Sequence, residues 1–263
     1  MLLQNKVAVI YGGGGSIGGA VARAFADEGA RVHVTGRSEE SAAAVASDII
    51  TAGGRADSAV VDALDEQAID AHLEDVVDED GRIDISFNAV GLPDQEVLGV
   101  PLTDLDAAGF SIPMTNYVTS YFLTARLAAR RMIEQKSGVI MTITALHSRI
   151  GIPLVGGYGP AQAAKEALTR DLSAELAPLG VRVVGLRPQG MPESTTIKRA
   201  FEPRAKRTGM TWQQWQEFLS ARTHPRRLMT LEEMAATAAF VASDRGSGLT
   251  GTTVNLTLGS MDD

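Results

Sequence analysis

An α/β fold built on a doubly wound parallel sheet is what this sequence predicts, and three observations carry the prediction. Short β-type runs alternate with longer helical patterns along most of the chain. A glycine string, Gly12 to Gly15, falls between the first of these runs and the first helical pattern. The 263 residues are 44% hydrophobic and 21% charged, and no linker, repeat or low-complexity tract divides them. One domain spanning residues 1–263 is therefore expected.

In chain order the pattern starts with a strand at Val7 to Tyr11 and a helix at Ile17 to Asp27. Two more pairs follow: Val32 to Thr35 with Glu39 to Ala52, and Ala59 to Val61 with Glu66 to Asp78. The runs read as strands because they are short and apolar, whereas the helical segments spread their apolar residues over three- and four-residue spacings. Ile83 to Asn88 is the fourth strand, and a long helix covers Ala107 to Gln135. Strand Val139 to Thr144, helix Tyr158 to Ala177 and strand Val181 to Arg187 continue the rhythm, which closes with helix Leu231 to Ser243 and strand Thr253 to Leu258.

One segment breaks it. Between Gln189 and Met229 the chain carries prolines, many charges and Trp212 and Trp215 at helical spacing. Ligands of doubly wound sheets bind at the carboxyl edge, so residues 189–229 are expected to be a substrate lid inserted there. The alternative is that the two tryptophans anchor a surface helix to the core or to a second subunit.

Composition excludes several function classes. The chain has no cysteine, so disulfides, thiolate zinc sites and thiol nucleophiles are absent. No apolar run approaches the roughly 18 residues a membrane span needs. The N-terminus reads as a first strand instead of a signal peptide, and a cytoplasmic location is expected. A net charge of −8, with basic residues scattered except around Arg199 to Arg207, argues against a nucleic-acid partner.

The strand–glycine–helix junction is the setting that a dinucleotide pyrophosphate requires. Glycines let the backbone approach the phosphates, and the helix N-terminus presents free N–H groups at the positive end of its dipole. Gly12, Gly14, Gly15, Ser16, Ile17 and Gly18 are the candidate contacts. Ser16 gives up backbone freedom but offers a hydroxyl and an N–H to a phosphate. Arg37 follows the second strand, and a guanidinium suits a 2′-phosphate, so NADP(H) is favoured over NAD(H).

The segment VIMTITALHSRIGIPLVGGYGPAQAAK, Val139 to Lys165, places a tyrosine at the mouth of an Ala-rich helix. It resembles the short-chain dehydrogenase/reductase family, whose Rossmann-like domain carries its catalytic Tyr there. The resemblance implies a Lys four residues after that Tyr and a Ser thirteen before. Here those places hold Gln162 and Ala145, so the chain looks like a divergent member. It departs in the glycine loop too, where Tyr11 and Ser16 replace the usual Thr and middle Gly.

The resemblance assigns Tyr158 as proton donor and Asn116 as the residue that keeps a relay water. Asp62 with Ala63 would contact adenine, Asn88, Ala89 and Val90 would lie beside the adenosine ribose, and Pro188, Gly190 and Met191 would lie against nicotinamide. Ser194, Thr195 and Thr196 could reach the carboxamide. Lys165 makes a Tyr-x6-Lys spacing seen in the enoyl reductase branch, but it sits about 4.5 Å further along the helix than the usual Lys at 1.5 Å per residue. Lys165, Ser148 and His147 are candidates for the missing groups.

The function expected is NADPH-dependent reduction of a carbonyl, or of a C=C or C=N bond, in a small or medium apolar molecule. A neutral tyrosine can donate a proton but cannot remove one, so reduction suffers less than oxidation from the missing cation. Two other readings remain open: a cofactor-binding scaffold or sensor without redox chemistry, and an isomerase or cyclase using the same pocket. Relatives pair their long helices between subunits, which implies a homodimer or homotetramer.

Overall fold

The computed structural model describes residues 1–91 and 98–261. Its strands are β1 (Val7–Tyr11), β2 (Arg31–Gly36), β3 (Arg55–Val60), β4 (Ile85–Asn88), β5 (Gly138–Ile143), β6 (Val181–Pro188) and β7 (Thr252–Leu256). All pair in parallel in the order β3-β2-β1-β4-β5-β6-β7. The chain reverses its direction of travel across the sheet between β1 and β4, which opens a crevice at their carboxyl ends.

Among the described residues the helices are α1 (Ser16–Asp27), α2 (Glu39–Thr51), α3 (Glu66–Asp80), α4 (Ala107–Pro113), α5 (Thr119–Gln135), α6 (Tyr158–Leu176), α7 (Thr195–Arg207), α8 (Trp212–Ser220) and α9 (Leu231–Ala242). Side chains alternate across the central strands and so feed two cores. On one face Ala8 and Ile10 of β1 pack with Val21 and Phe25 of α1 and Ala235 and Ala238 of α9. On the other, Val7, Val9 and Tyr11 pack with Ile69 and Leu73 of α3 and Tyr121 and Leu127 of α5. Both faces of β1 are buried, which is why VAVIY reads as an unbroken apolar run.

Local signals set the helix ends. Ser38 caps α2 by accepting from the Ser41 N–H, and Asp65 caps α3 by accepting from those of Gln67 and Ala68. Thr211 with Gln214 and Thr230 with Glu233 form reciprocal capping boxes that start α8 and α9.

Two elements differ from the sequence expectation. β3 begins at Arg55, four residues before the expected Ala59, because it is an edge strand whose burial alternates and whose Arg55, Asp57 and Ser58 hide the apolar signal. The expected helix from Ala107 to Gln135 is interrupted by a π-helical turn at Met114–Val118, directly after Pro113. Proline has no N–H to give to the regular ladder, and widened turns of this kind often mark functional positions. Asn116 lies in that turn.

The 189–229 segment folds into α7 and α8. Trp215 is buried, with its ring 6.4 Å from that of Phe201 and 5.6 Å from that of Phe218. Trp212 is half-buried. The side chain of Thr196 and most of those in the 199–207 basic cluster lie outside the described residues. No helix among the described residues is long and apolar enough to cross a membrane.

Candidate active site

A cavity of about 750 Å³ opens along the carboxyl ends of the strands. It is bordered by Gly12 after β1, Arg37 after β2, Asp62 after β3, Ala89 after β4, Ala145 after β5 and Gln189 after β6.

The glycine loop needs its glycines for space. Gly12 has φ +73°, and a Cβ there would lie 2.7 Å from the carbonyl oxygen of Ala89. A Cβ on Gly18 would overlap the carbonyl oxygen of Gly12. α1 starts at Ser16 without a side-chain cap, which leaves its N-terminal dipole for an anion in the cavity. The Ser16 hydroxyl lies 3.2 Å from that of Thr195 and accepts a 3.2 Å bond from the Thr195 N–H, so it ties the loop to the start of α7.

At the end of β2, Gly36 has open space where a side chain would project, with Arg37, Ser38 and Ser41 also facing the cavity. Val61, Asp62 and Ala63 line the neighbouring wall. Of the three residues expected beside the ribose, Ala89 and Val90 line the cavity and Asn88 does not. Asn88 is buried, its amide donating to Thr124 Oγ1 at 3.1 Å, so it braces β4 against α5. Pro188, Gly190 and Met191 line the cavity. Gln189 turns its side chain aside: Nε2 donates to Ser260 at 3.0 Å and Oε1 accepts from the Gly190 N–H at 2.8 Å.

Tyr158 is half-buried at the mouth of α6 and lines the cavity. Its ring meets those of Tyr117 and His147 edge-on, at 5.6 and 5.2 Å. Ala145 faces the same space, and so does the buried Gln162. Gln162 Oε1 is buried without a hydrogen-bond partner among the described residues, so it can accept from a ligand hydroxyl. Lys165 lines the cavity floor at 1% exposure, and its Nζ donates to the Ile143 carbonyl at 2.7 Å. Burial without a carboxylate partner lowers its pKa to about 7.

Two of the four catalytic candidates, Asn116 and Ser148, sit outside the cavity wall. Asn116 lies in the π turn beside Tyr117, which does line it. Ser148 donates a 2.5 Å hydrogen bond to Glu166 Oε1. That bond belongs to a buried network that sequence reasoning missed. Glu166 also accepts from Arg187 Nε and Nη2, both at 2.7 Å, from Thr144 Oγ1 at 3.1 Å, and from Arg149 Nε at 3.4 Å. Although burial alone would raise its pKa, the Arg187 pair and the hydroxyl donors hold the Glu166 carboxyl below its ordinary value. Arg187, near the end of the mostly apolar strand VRVVGLRP, was the available signal, whereas Glu166 follows Lys165 in a helix that also carries Arg170, Asp171 and Glu175 and does not stand out.

Comparison with known proteins adds to this geometry. A family model described as enoyl-(acyl carrier protein) reductase matches residues 13–260. The chain belongs to the short-chain dehydrogenase/reductase family. It is 32% identical over 253 residues to the short-chain reductase protein NovJ of Streptomyces niveus, covering 96% of this chain and 93% of that one. Secoisolariciresinol dehydrogenase of Forsythia intermedia is 31% identical over 201 residues, covering 76% and 70%. Among solved structures, an NAD⁺-bound xylitol dehydrogenase superposes with TM-score 0.90 at 27% identity, covering 99% of this chain and all of that chain. The sorbitol-6-phosphate 2-dehydrogenase of Erwinia amylovora superposes with TM-score 0.89 at 26% identity, covering 97% and 100%. The protein is thus an NAD(P)-dependent oxidoreductase of this family with a seven-stranded parallel sheet.

Proposed function

We propose that this enzyme uses NADPH to reduce a carbonyl group, or a C=C or C=N bond, of a small or medium apolar substrate, with Tyr158 as proton donor. One observation carries the reading: Tyr158 and the glycine loop open into the same cavity.

The residues present fit a dinucleotide. Gly12 and Gly18 leave room for a pyrophosphate, and the open space at Gly36 beside Arg37 suits a 2′-phosphate better than an acidic side chain there would. Gln162 Oε1 suits a ribose hydroxyl, as a neutral substitute for the lysine that relatives place there. When bound, NADPH supplies a hydride to the carbonyl carbon. Tyr158 then gives its phenolic proton to the carbonyl oxygen, and no residue has to remove a proton from substrate.

Ala145 has no hydroxyl to orient the carbonyl, and Thr144 Oγ1 and Ser148 Oγ both donate to Glu166. Orientation therefore falls to the shape of the pocket. The usual scale for one positioned donor puts the cost of such a loss at roughly 10²-fold in rate. Lys165, in contact with the cavity floor, supplies a group that titrates near neutral pH. The 189–229 segment serves as the lid, since Met210, Trp215 and Leu219 line the substrate side. Phe110, Ile112 and Phe122 are exposed on α4 and α5, as a dimer or tetramer packed through these helices requires.

The experiment is a panel of ketones, enones and imines offered with NADPH and followed by loss of cofactor absorbance, beside a direct NADPH-binding measurement. Turnover of at least one class, faster with NADPH than with NADH, is expected. Tight NADPH binding with no turnover anywhere on the panel would replace this reading with a cofactor-binding scaffold, and no binding would remove both.

A further inference from the structure

The substrate side of the cavity has an unusual wall. Four rings follow one another along it: His147 to Phe201 at 5.9 Å, Phe201 to Trp215 at 6.4 Å, and Trp215 to Phe218 at 5.6 Å. Successive planes differ by 30°, 25° and 35°, so each ring is tilted or stacked against its neighbour. Its inner end abuts Tyr158, whose ring lies 5.2 Å from that of His147. At its outer end the guanidinium of Arg222 sits over the Phe218 ring, 5.6 Å from the centroid. Trp215 is 5% exposed and Phe218 41%, so the row runs from the interior to the mouth.

Charge adds a direction to this shape. Arg222 is exposed and also lines the cavity. Among the described lining residues the one carboxylate is Asp62, which follows β3 at the opposite edge of the sheet. The mouth is therefore cationic and has no described acid to neutralise it. Flat π-faces gain from stacked or edge-on contact with a planar ring system beyond what their buried area gives, and a mouth cation adds attraction for an anion.

We infer that this site takes an elongated aromatic keto acid: a carbonyl at Tyr158, a flat body of two or more rings along the His147–Phe201–Trp215–Phe218 wall, and a carboxylate at Arg222. The inference rests on the reading above that one cavity holds cofactor and substrate, and it replaces the apolar substrate of that reading with an aromatic one that also carries a carboxylate.

Binding tests it separately from turnover. The probes are 4′-acetylbiphenyl-4-carboxylate, its primary amide and its bicyclohexyl analogue, titrated by calorimetry into the protein alone and with NADP⁺, which has no hydride to give. The carboxylate should bind about fivefold tighter than the amide, the range an exposed ion pair allows, and at least roughly threefold tighter than the saturated analogue. Arg222→Glu should abolish or reverse the acid preference and keep the aromatic preference. Phe218→Ala should do the opposite, and a melting curve for each variant checks that the fold is intact. Equal binding of the three probes, an Arg222→Glu variant with unchanged acid preference, or no binding at all would overturn the inference. If the expected binding pattern appears but NADPH reduces none of the ketones, the inference stands and the reductase reading falls. Turnover without discrimination among the probes would leave the reductase reading in place and remove the keto-acid inference.

Discussion

Lys165 Nζ donates a 2.7 Å hydrogen bond to the carbonyl oxygen of Ile143, at the carboxyl end of β5, with the rings of Tyr117 and Tyr121 5.8 and 5.7 Å away. A lysine three residues past the family position is thereby brought to the cavity floor by the helix itself. The third residue on is rotated by about 60° short of a full turn, so it stays on the inward face. What it does not acquire, among the described residues, is a carboxylate partner, and the stability of the fold should register that.

The Lys165 pKa is lowered from the ordinary 10.5 to about 7. Between those values the unfolded chain binds a proton that the folded chain does not, so this residue makes stability rise with pH across the window. Below about pH 7 both states hold the proton, and the full cost of burying the charge remains. Urea midpoints at intervals from about pH 7 to about pH 10 should climb more steeply for the wild type than for Lys165→Met. Parallel pH profiles for the two proteins would refute the assignment.

Glu166 and Arg187 are at 2% and 1% exposure, and removing either leaves a buried charge uncompensated. Arg187→Met should cost about 3–5 kcal/mol, read from denaturant unfolding, and Arg187→Met with Glu166→Leu together should cost much less than the single change. Because the folded Glu166 pKa is depressed, its contribution is fully present above the unfolded carboxyl value and disappears as pH falls through the folded one. Acid unfolding of Glu166→Gln should accordingly show a shallower pH dependence than that of the wild type.

Gly18→Ala tests the glycine cradle. The added Cβ would overlap the Gly12 carbonyl oxygen, forcing the loop to shift at a cost of about 1–3 kcal/mol. NADPH affinity should drop at least tenfold by calorimetry, a loss of about 1.4 kcal/mol. A variant that binds as tightly as the wild type would place the cofactor elsewhere.

Arg37→Leu addresses cofactor choice. An exposed guanidinium on a phosphate should favour NADPH over NADH by roughly an order of magnitude, and the variant should lose most of that ratio by weakening NADPH alone. Competition binding of the two cofactors reads this directly, and an unchanged ratio would mean that Arg37 is an ordinary surface arginine.

The sequence made the sheet and the glycine loop legible for a physical reason. Strands buried on both faces, such as β1, are apolar throughout, and a pyrophosphate loop must be glycine-rich to let backbone approach. The ends of β3 were obscured because an edge strand need not be apolar, and the widened turn around Asn116 leaves no periodic trace. Tyr158 was found by its place at the mouth of an Ala-rich helix, and the structure puts it on the cavity wall. Ser148 looked available in the sequence because only three dimensions reveal that Glu166, eighteen residues on, accepts its hydrogen bond. The aromatic wall was obscured for the same cause: Phe201, Trp215 and Phe218 share one segment, but His147 lies 54 residues before Phe201 and only the fold brings their rings together.

The most direct test of the central claim compares Tyr158→Phe with the wild type on a ketone that the wild type reduces, measuring NADPH binding and kcat/KM side by side. The loss of one phenolic hydroxyl should leave NADPH affinity within about twofold and lower kcat/KM by roughly 10²- to 10⁴-fold. Reduction by Tyr158→Phe at the wild-type rate would contradict the account, since the proton would then come from another group.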